Sequence, residues 1–233
     1  MRFDVLVRGL TICAALVVIG ILFQNTGIRL NIEENSIYSG SELIENETLK
    51  IALTFDDGPS DIEGGTDYLL DGLASRGVQA TFFVLGSRAE DNPLIMTRLY
   101  EEGHLIGNHT YSHVDLADVS LEQMLEELEK TNQIIESYTG EEVVYMRPPY
   151  GDWNSNYNDE INMVPVFWTI DSLDWTTDNV EEIVNRVVTQ AQENDIILMH
   201  DCYPSSSEAA FQIIDILQER GFEFVTVDEI LNQ

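Results

Sequence analysis

From Leu49 onward, short apolar runs of strand length alternate with longer stretches in which apolar residues recur every three or four positions. The short runs predict strands at 49–55, 79–85, 104–108, 143–147, 164–170, 195–200 and 222–227. The longer stretches predict helices near 64–76, 92–102, 120–138, 179–193 and 206–220. Ser120 and Gln123 have the spacing of a capping box at a helix start, and Gly140 supplies a stop. Strand-helix alternation argues an α/β fold, a mostly parallel sheet with helices outside it. About seven such units in some 185 residues suit a small or incomplete (β/α) barrel better than an open sheet.

The pattern upstream is different. Leu10 to Phe23 is a run of 14 weakly polar to apolar residues, and no charge occurs in the 20 residues from Gly9 to Ile28, while Arg2 and Arg8 precede them. The run has the length of a signal-peptide core, and the wider uncharged span is long enough to cross a bilayer. No small-x-small cleavage site follows Phe23, and Ile12 stands where a lipoprotein box needs a small residue before Cys13. The expectation is therefore an uncleaved anchor over residues 1–28, positive end inside, with a cleaved signal peptide as the alternative. Residues 29–47, rich in Asn, Ser and Glu, read as a linker, and 48–233 as the catalytic domain. Either version places that domain outside the cytoplasm, membrane-anchored or secreted.

Composition removes some functions. Acidic residues outnumber basic ones 42 to 11, a net charge of −31, which repels nucleic acid and anionic lipid. Membrane contact is thus expected only through the N-terminal segment. The two cysteines, Cys13 and Cys202, fall in different regions, so neither a disulfide framework nor a CxxC zinc knuckle can be built. The sequence leaves the oligomeric state open, with a monomer as the default.

Parallel α/β folds place their sites at the C-terminal ends of strands, and the polar clusters of this chain fall there. Asp56-Asp57 ends the first strand before Gly58-Pro59. Two adjacent carboxylates in a cleft repel unless a cation lies beside them, although such a pair is also an ordinary acidic turn. His109 and His113 follow the third strand; on a helical turn they share a face and, with Asp57, make a two-His, one-carboxylate metal site. Three of the four histidines would then serve one site, and His104, opening a strand, is assigned to structure. Arg147-Pro148-Pro149-Tyr150-Gly151 is a stiff segment in which Arg147 can hold a carboxylate by a two-pronged bond. A plain proline turn is the alternative. Asp171 through Trp175 offers carboxylates beside an aromatic suited to a sugar face, or a helix cap. His200 tips a buried strand and precedes Asp201.

Taken together, Thr54-Phe55-Asp56-Asp57-Gly58-Pro59, His109-x-x-x-His113, Arg147-Pro-Pro-Tyr-Gly151, Asp171-x-x-Asp174-Trp175 and Leu198-x-His200 resemble the five ordered motifs of polysaccharide deacetylases, the NodB-type domain of carbohydrate esterase family four. The resemblance covers about residues 48–231, with no departure at a motif position. It implies a distorted barrel of about seven parallel strands and metal-dependent removal of acetyl groups from N-acetylated glycan. By motif position it implies Asp57, His109 and His113 as ligands of one divalent ion, with zinc expected and cobalt, manganese or iron possible. It further implies Asp56 as general base oriented by Arg147, and His200 as general acid paired with Asp174. Tyr150 would offer a backbone N–H to the oxyanion, and Trp175 and Leu198 would wall the acetate pocket. The substrate expected is peptidoglycan N-acetylglucosamine. Chitin oligosaccharides, acetylated xylan, or a glycan-binding module without turnover are the alternatives.

Overall fold

The computed structural model describes residues 48–232; the anchor and linker expected over residues 1–47 lie outside them. Strands β1 (Leu49–Asp56), β2 (Thr81–Val84), β3 (Leu105–Asn108), β4 (Tyr145–Met146), β5 (Val164–Pro165), β6 (Ile170–Asp171), β7 (Ile196–His200) and β8 (Phe222–Val225) form one sheet. Its order is β5-β4-β3-β2-β1-β7-β6, with β8 pairing the first half of β1. Every pairing is parallel. The helices are α1 (Thr66–Arg76), α2 (Gly86–Asp91), α3 (Pro93–Glu101), α4 (Leu121–Thr139), α5 (Val180–Val188), α6 (Pro204–Glu219) and α7 (Val227–Leu231).

Chain connectivity forces this sheet to curl. The two ends of its path, β5 and β6, are joined by only residues 166–169. Five Cα steps reach at most about 18 Å, whereas six strand spacings laid flat would separate those ends by about 29 Å. The sheet therefore bends round until its edges approach, and no ladder among the described residues pairs β5 with β6. An incomplete barrel results. Arg147, just after β4, reaches Thr54 and Asp56 on β1, three positions away along the sheet, across the interior.

The core follows the apolar pattern. Ile51, Leu53 and Phe55 of β1 pack with Phe82 and Val84 of β2, Ile197 and Met199 of β7, and the inner faces of α1, α5 and α6. Ser120 and Gln123 form the expected capping box on α4, and Gly140 ends it in the left-handed conformation. Two expectations need correction. The strand over 164–170 is broken into β5 and β6, because residues 166–169 must cross between the sheet's edges. The strand over 143–147 shortens to two residues. Helices α2 and α7 were not expected; at six and five residues they are too short to show a helical period. No helix among the described residues is long and apolar enough to cross a membrane.

Helix α1 meets α6 at Gly72, where a Cβ would lie 1.9 Å from the Phe211 ring. That ring is also covered by Tyr68, edge-on at 5.4 Å, and by the Arg76 guanidinium at 4.7 Å. Gly72→Ala should therefore lower stability by roughly 1–3 kcal/mol, since overpacking outweighs the helix propensity gained. Urea denaturation of the variant, and of the double variant with Phe211→Leu, should show the loss and then its partial recovery.

Candidate active site

Asp56 is the last residue of β1, and Asp57 steps out of the strand with φ 73°. On a regular strand the two side chains would face opposite ways. The left-handed residue breaks the alternation, and both carboxylates line one cleft of about 380 Å³ with His109, His113, Tyr150, Trp168, Asp171, Trp175, Leu198, His200 and Tyr203. Gly58 is required beside them, because a Cβ there would meet the Asp201 carboxylate at 2.0 Å. Asp201 itself does not enter the cleft; it is buried under this turn, takes a 2.7 Å hydrogen bond from the Thr66 hydroxyl, and burial pushes its pKa up to about 7.

Of the ten residues that the family resemblance assigns to the site, eight line this cleft, and Arg147 and Asp174 stand behind it, bonded to Asp56 and His200. Asp57 Oδ1 stands 3.5 Å from His109 Nε2 and 3.3 Å from His113 Nε2. The two histidines come from a loop and not the helical turn expected, with Thr110 and His113 at φ 68° and 60°. His109 Nδ1 lies 2.7 Å from the Arg147 carbonyl, an acceptor only, so Nδ1 carries the proton in the neutral ring. Its Nε2 then aims a lone pair at Asp57 Oδ1, a buried oxygen with no hydrogen-bond partner. Two facing lone pairs are unfavourable unless a cation sits among them, and the three side chains offer ligand atoms all within 4.8 Å of one another. The residues fit a divalent ion. Burial raises the Asp57 pKa; with a proton also on His109 Nε2, the hydrogen bond from that ring and the charges of His109, His200 and His113 outweigh burial and hold Asp57 at about 2.

Arg147 is fully buried. Its Nε donates to the Val166 carbonyl at 3.1 Å, and one terminal nitrogen donates to Thr54 Oγ1 at 2.7 Å and Asp56 Oδ1 at 2.8 Å. The grip on Asp56 is thus single and not two-pronged. The guanidinium also stacks over Phe83 at 4.2 Å and Trp168 at 5.7 Å. Asp56 keeps its second oxygen free of Arg147, 3.8 Å from His109 Nε2.

His200 is the register partner of Asp56 on the neighbouring strand. Its Nδ1 donates to Asp174 Oδ1 at 2.8 Å, while Asp174 Oδ2 accepts from the His200 backbone N–H at 2.8 Å and the Ser206 hydroxyl at 2.5 Å. Burial depresses the His200 pKa, but the bonded Asp174 outweighs it, and Asp56 and Asp57 add to the rise, to about 9. Asp174 does not cap α5; Asn179 does. Leu198 is buried in the cleft wall, whereas Trp175 and Tyr150 are 56% and 69% exposed, open to a large ligand. The Tyr150 side chain also stands against His113, hydroxyl to Nδ1 at 3.2 Å. His104, as expected, is structural: it is buried and its Nδ1 accepts from the Ala80 N–H at 3.1 Å. Trp168, Tyr203 and Ser206 were not singled out from sequence. The position of Tyr203, three residues past His200, was the available signal for it; Ser206 and Trp168 reach the site through folding alone.

In metal-free protein the His200 imidazole should titrate near 9 by NMR, and Asp174→Asn should bring it down towards the ordinary histidine value. The sign for stability follows. Because the folded pKa is raised above 6.5, the stabilisation is complete below about 6.5 and is lost as pH rises through about 9. The wild type minus Asp174→Asn stability difference should shrink over that window.

Comparison with known proteins agrees with this geometry. Residues 45–166 match the family model described as polysaccharide deacetylase. The chain is 39% identical over 189 residues to the peptidoglycan-N-acetylmuramic acid deacetylase PdaC of Bacillus subtilis, covering 81% of this chain and 40% of that protein. It is 37% identical over 184 residues to the peptidoglycan-N-acetylglucosamine deacetylase PgdA of Listeria monocytogenes, covering 79% of this chain and 39% of that one. It thus spans about two fifths of the length of these curated relatives. The solved structure of PdaC superposes with a TM-score of 0.76 at 39% identity, over 80% of this chain and 91% of that one. With its described strands in one curled parallel sheet and its family match reaching across more than half its length, this chain belongs to the polysaccharide deacetylase family.

Proposed function

We propose that this chain is a metal-dependent N-deacetylase of cell-wall glycan that hydrolyses the acetamide of peptidoglycan N-acetylglucosamine and releases acetate. One observation carries the reading. A proton acceptor, Asp56, and a histidine kept protonated, His200, share one cleft with a partly buried Asp-His-His cluster. The relatives named above act on peptidoglycan sugars, which supports the same substrate class here.

An acetamide is a weak electrophile with a poor leaving group, so its hydrolysis needs charge stabilisation and protons moved in two directions. Asp57, His109 and His113 would hold the divalent ion, which supplies positive charge to polarise the acetyl oxygen and to make water more acidic; two imidazoles and one carboxylate suit zinc. Asp56, its Oδ1 fixed by Arg147, takes the proton from the attacking water through Oδ2. The Tyr150 backbone N–H donates to the oxygen that becomes negative as the carbonyl carbon turns tetrahedral. The carbon–nitrogen bond then breaks as His200 gives its Nε2 proton to the departing nitrogen, while Nδ1 keeps its own proton, donated to Asp174. Acetate and the free amino sugar leave. Trp175 and Leu198 wall the space for the acetyl methyl, and the exposed faces of Trp175 and Tyr150 give pyranose rings a surface to stack on.

The same proposal makes residues 1–28 a bacterial membrane anchor, 29–47 a linker and 48–233 the catalytic domain. A tether of this kind would hold the domain, as a monomer, beside the wall.

His200→Ala should lose roughly 10²–10⁴-fold in turnover while keeping its metal. Asp57→Ala should lose metal and activity together, and chelation should abolish wild-type activity until zinc is restored. Acetate release should be measured on peptidoglycan, chito-oligosaccharides and acetylated xylan. Preference for xylan would replace the N-deacetylase reading by an esterase, and glycan binding without acetate from any of them would leave a binding module. The alkaline limb of the rate should fall as His200 loses its proton near pH 9, and Asp174→Asn should move that limb to lower pH.

A further inference from the structure

The loop that carries His109 and His113 is built against the preferences of its own residues. Thr110 and His113 lie in the left-handed region, which side chains with a Cβ avoid and β-branched ones avoid most. No glycine relieves it. Hydrogen bonds to every N–H from Thr110 to His113 and to the carbonyls of Thr110 and Tyr111 hold it instead. Thr110 N–H donates to Asn108 Oδ1 at 2.7 Å, and His113 N–H donates to Thr110 Oγ1 at 3.0 Å. The Thr110 and Tyr111 carbonyls accept from the N–H groups of Gly86 and Ser87, at 2.9 and 3.0 Å.

The two remaining N–H groups converge on one carboxylate. Tyr111 and Ser112 donate to Glu127 Oε2 at 2.9 and 2.8 Å, and the Ser112 hydroxyl donates to Glu127 Oε1 at 2.8 Å. Successive N–H groups on one anion form a nest, here assembled from a strained loop around a side chain of α4. Lys130, one turn further along α4, stands 3.3 Å over the Tyr111 ring, and the Tyr111 hydroxyl donates to Glu90 at 2.9 Å. Helix α4 gives no residue to the cleft.

We infer that Glu127 is a positioning residue for the metal site: it fixes the backbone between the two imidazoles so that their Nε2 atoms arrive preset beside Asp57. The inference rests on the proposed reading of Asp57, His109 and His113 as metal ligands. Without Glu127, two N–H groups lose their acceptor and the loop can relax out of the left-handed region. What falls is then affinity for the ion, and the chemistry of the loaded site stays intact.

The test compares full-length wild type, Glu127→Ala, Glu127→Gln and, as control, the neighbouring exposed Glu126→Ala. Zinc affinity of stripped protein is measured by competition with a chelator, alongside turnover at saturating zinc and amide exchange at Tyr111 and Ser112. Glu127→Ala should bind zinc about 10–100-fold more weakly, as losses behind metal ligands do, with turnover at saturation and melting temperature kept and both amides exchanging faster. Glu127→Gln should recover most of the affinity, because its amide oxygen still accepts from both N–H groups. Glu126→Ala should match wild type. Unchanged zinc affinity in Glu127→Ala overturns the inference, and so does a Glu127→Gln as weak as Glu127→Ala, which would assign the effect to charge alone. Wild type that takes up no zinc overturns this inference and the proposed function together. Wild type that binds zinc but releases no acetate overturns the function alone and leaves the affinity comparison to decide the role of Glu127.

Discussion

A guanidinium with no access to water organises the mouth of this barrel. Arg147 joins β1 through Thr54 and Asp56, the segment after β5 through the Val166 carbonyl, and β2 through the Phe83 ring. Burying such a charge costs several kcal/mol, and removing one partner of a buried pair typically costs about 3–5 kcal/mol, because the other charge is left uncompensated. Arg147 and Asp56 are therefore bound to each other's presence. A single arginine both holds the curled sheet across its interior and fixes the rotamer of the carboxylate that faces the cleft. Its own carbonyl completes the arrangement, since it sets the tautomer of His109.

The second constraint is electrostatic. Asp56, Asp57 and Asp174 converge with His109, His113 and His200 in a chain already carrying a net charge of −31. Neighbouring environments drive the groups apart: Asp57 is held at about 2, and His200 is raised to about 9. Divergence of this kind is how one cleft keeps an ionised carboxylate and a protonated histidine at the same pH. Asp57 and His200 reach those states for related reasons. Each is buried against its own charged form, and each is overruled by the hydrogen bonds and charges of the groups around it.

Much of the architecture was legible before any coordinates. Apolar runs of strand length, the capping box at Ser120 and the stop at Gly140 reflect local rules, and local rules survive folding. The order of the motifs likewise placed all ten expected residues at one end of the strands. The sequence failed where a neighbour distant along the chain decides. Residues 164–170 carry strand-forming side chains, yet the need to span the gap between β5 and β6 breaks the strand. Asp56 receives one bond from Arg147 where two were expected: Nε is turned to the Val166 carbonyl, Nη1 is shared between Thr54 and Asp56, and the buried Nη2 bonds neither carboxylate oxygen. Ser206, thirty-two residues from Asp174, bonds its carboxylate only because α6 folds back over β7.

The amino-acid order by itself determined the α/β alternation, the position of each cluster at a strand end, and the pairing of residue types able to hold a cation and move protons. Those follow from period, side-chain chemistry and turn residues, which are properties of neighbours in sequence. Only the tertiary structure decided that Asp57 turns through a left-handed residue to join Asp56, that the His109–His113 loop is strained and clamped, and which tautomer faces Asp57. The clamped loop and the tautomer depend on hydrogen bonds between groups up to 38 residues apart, and no local pattern encodes the distance across a barrel.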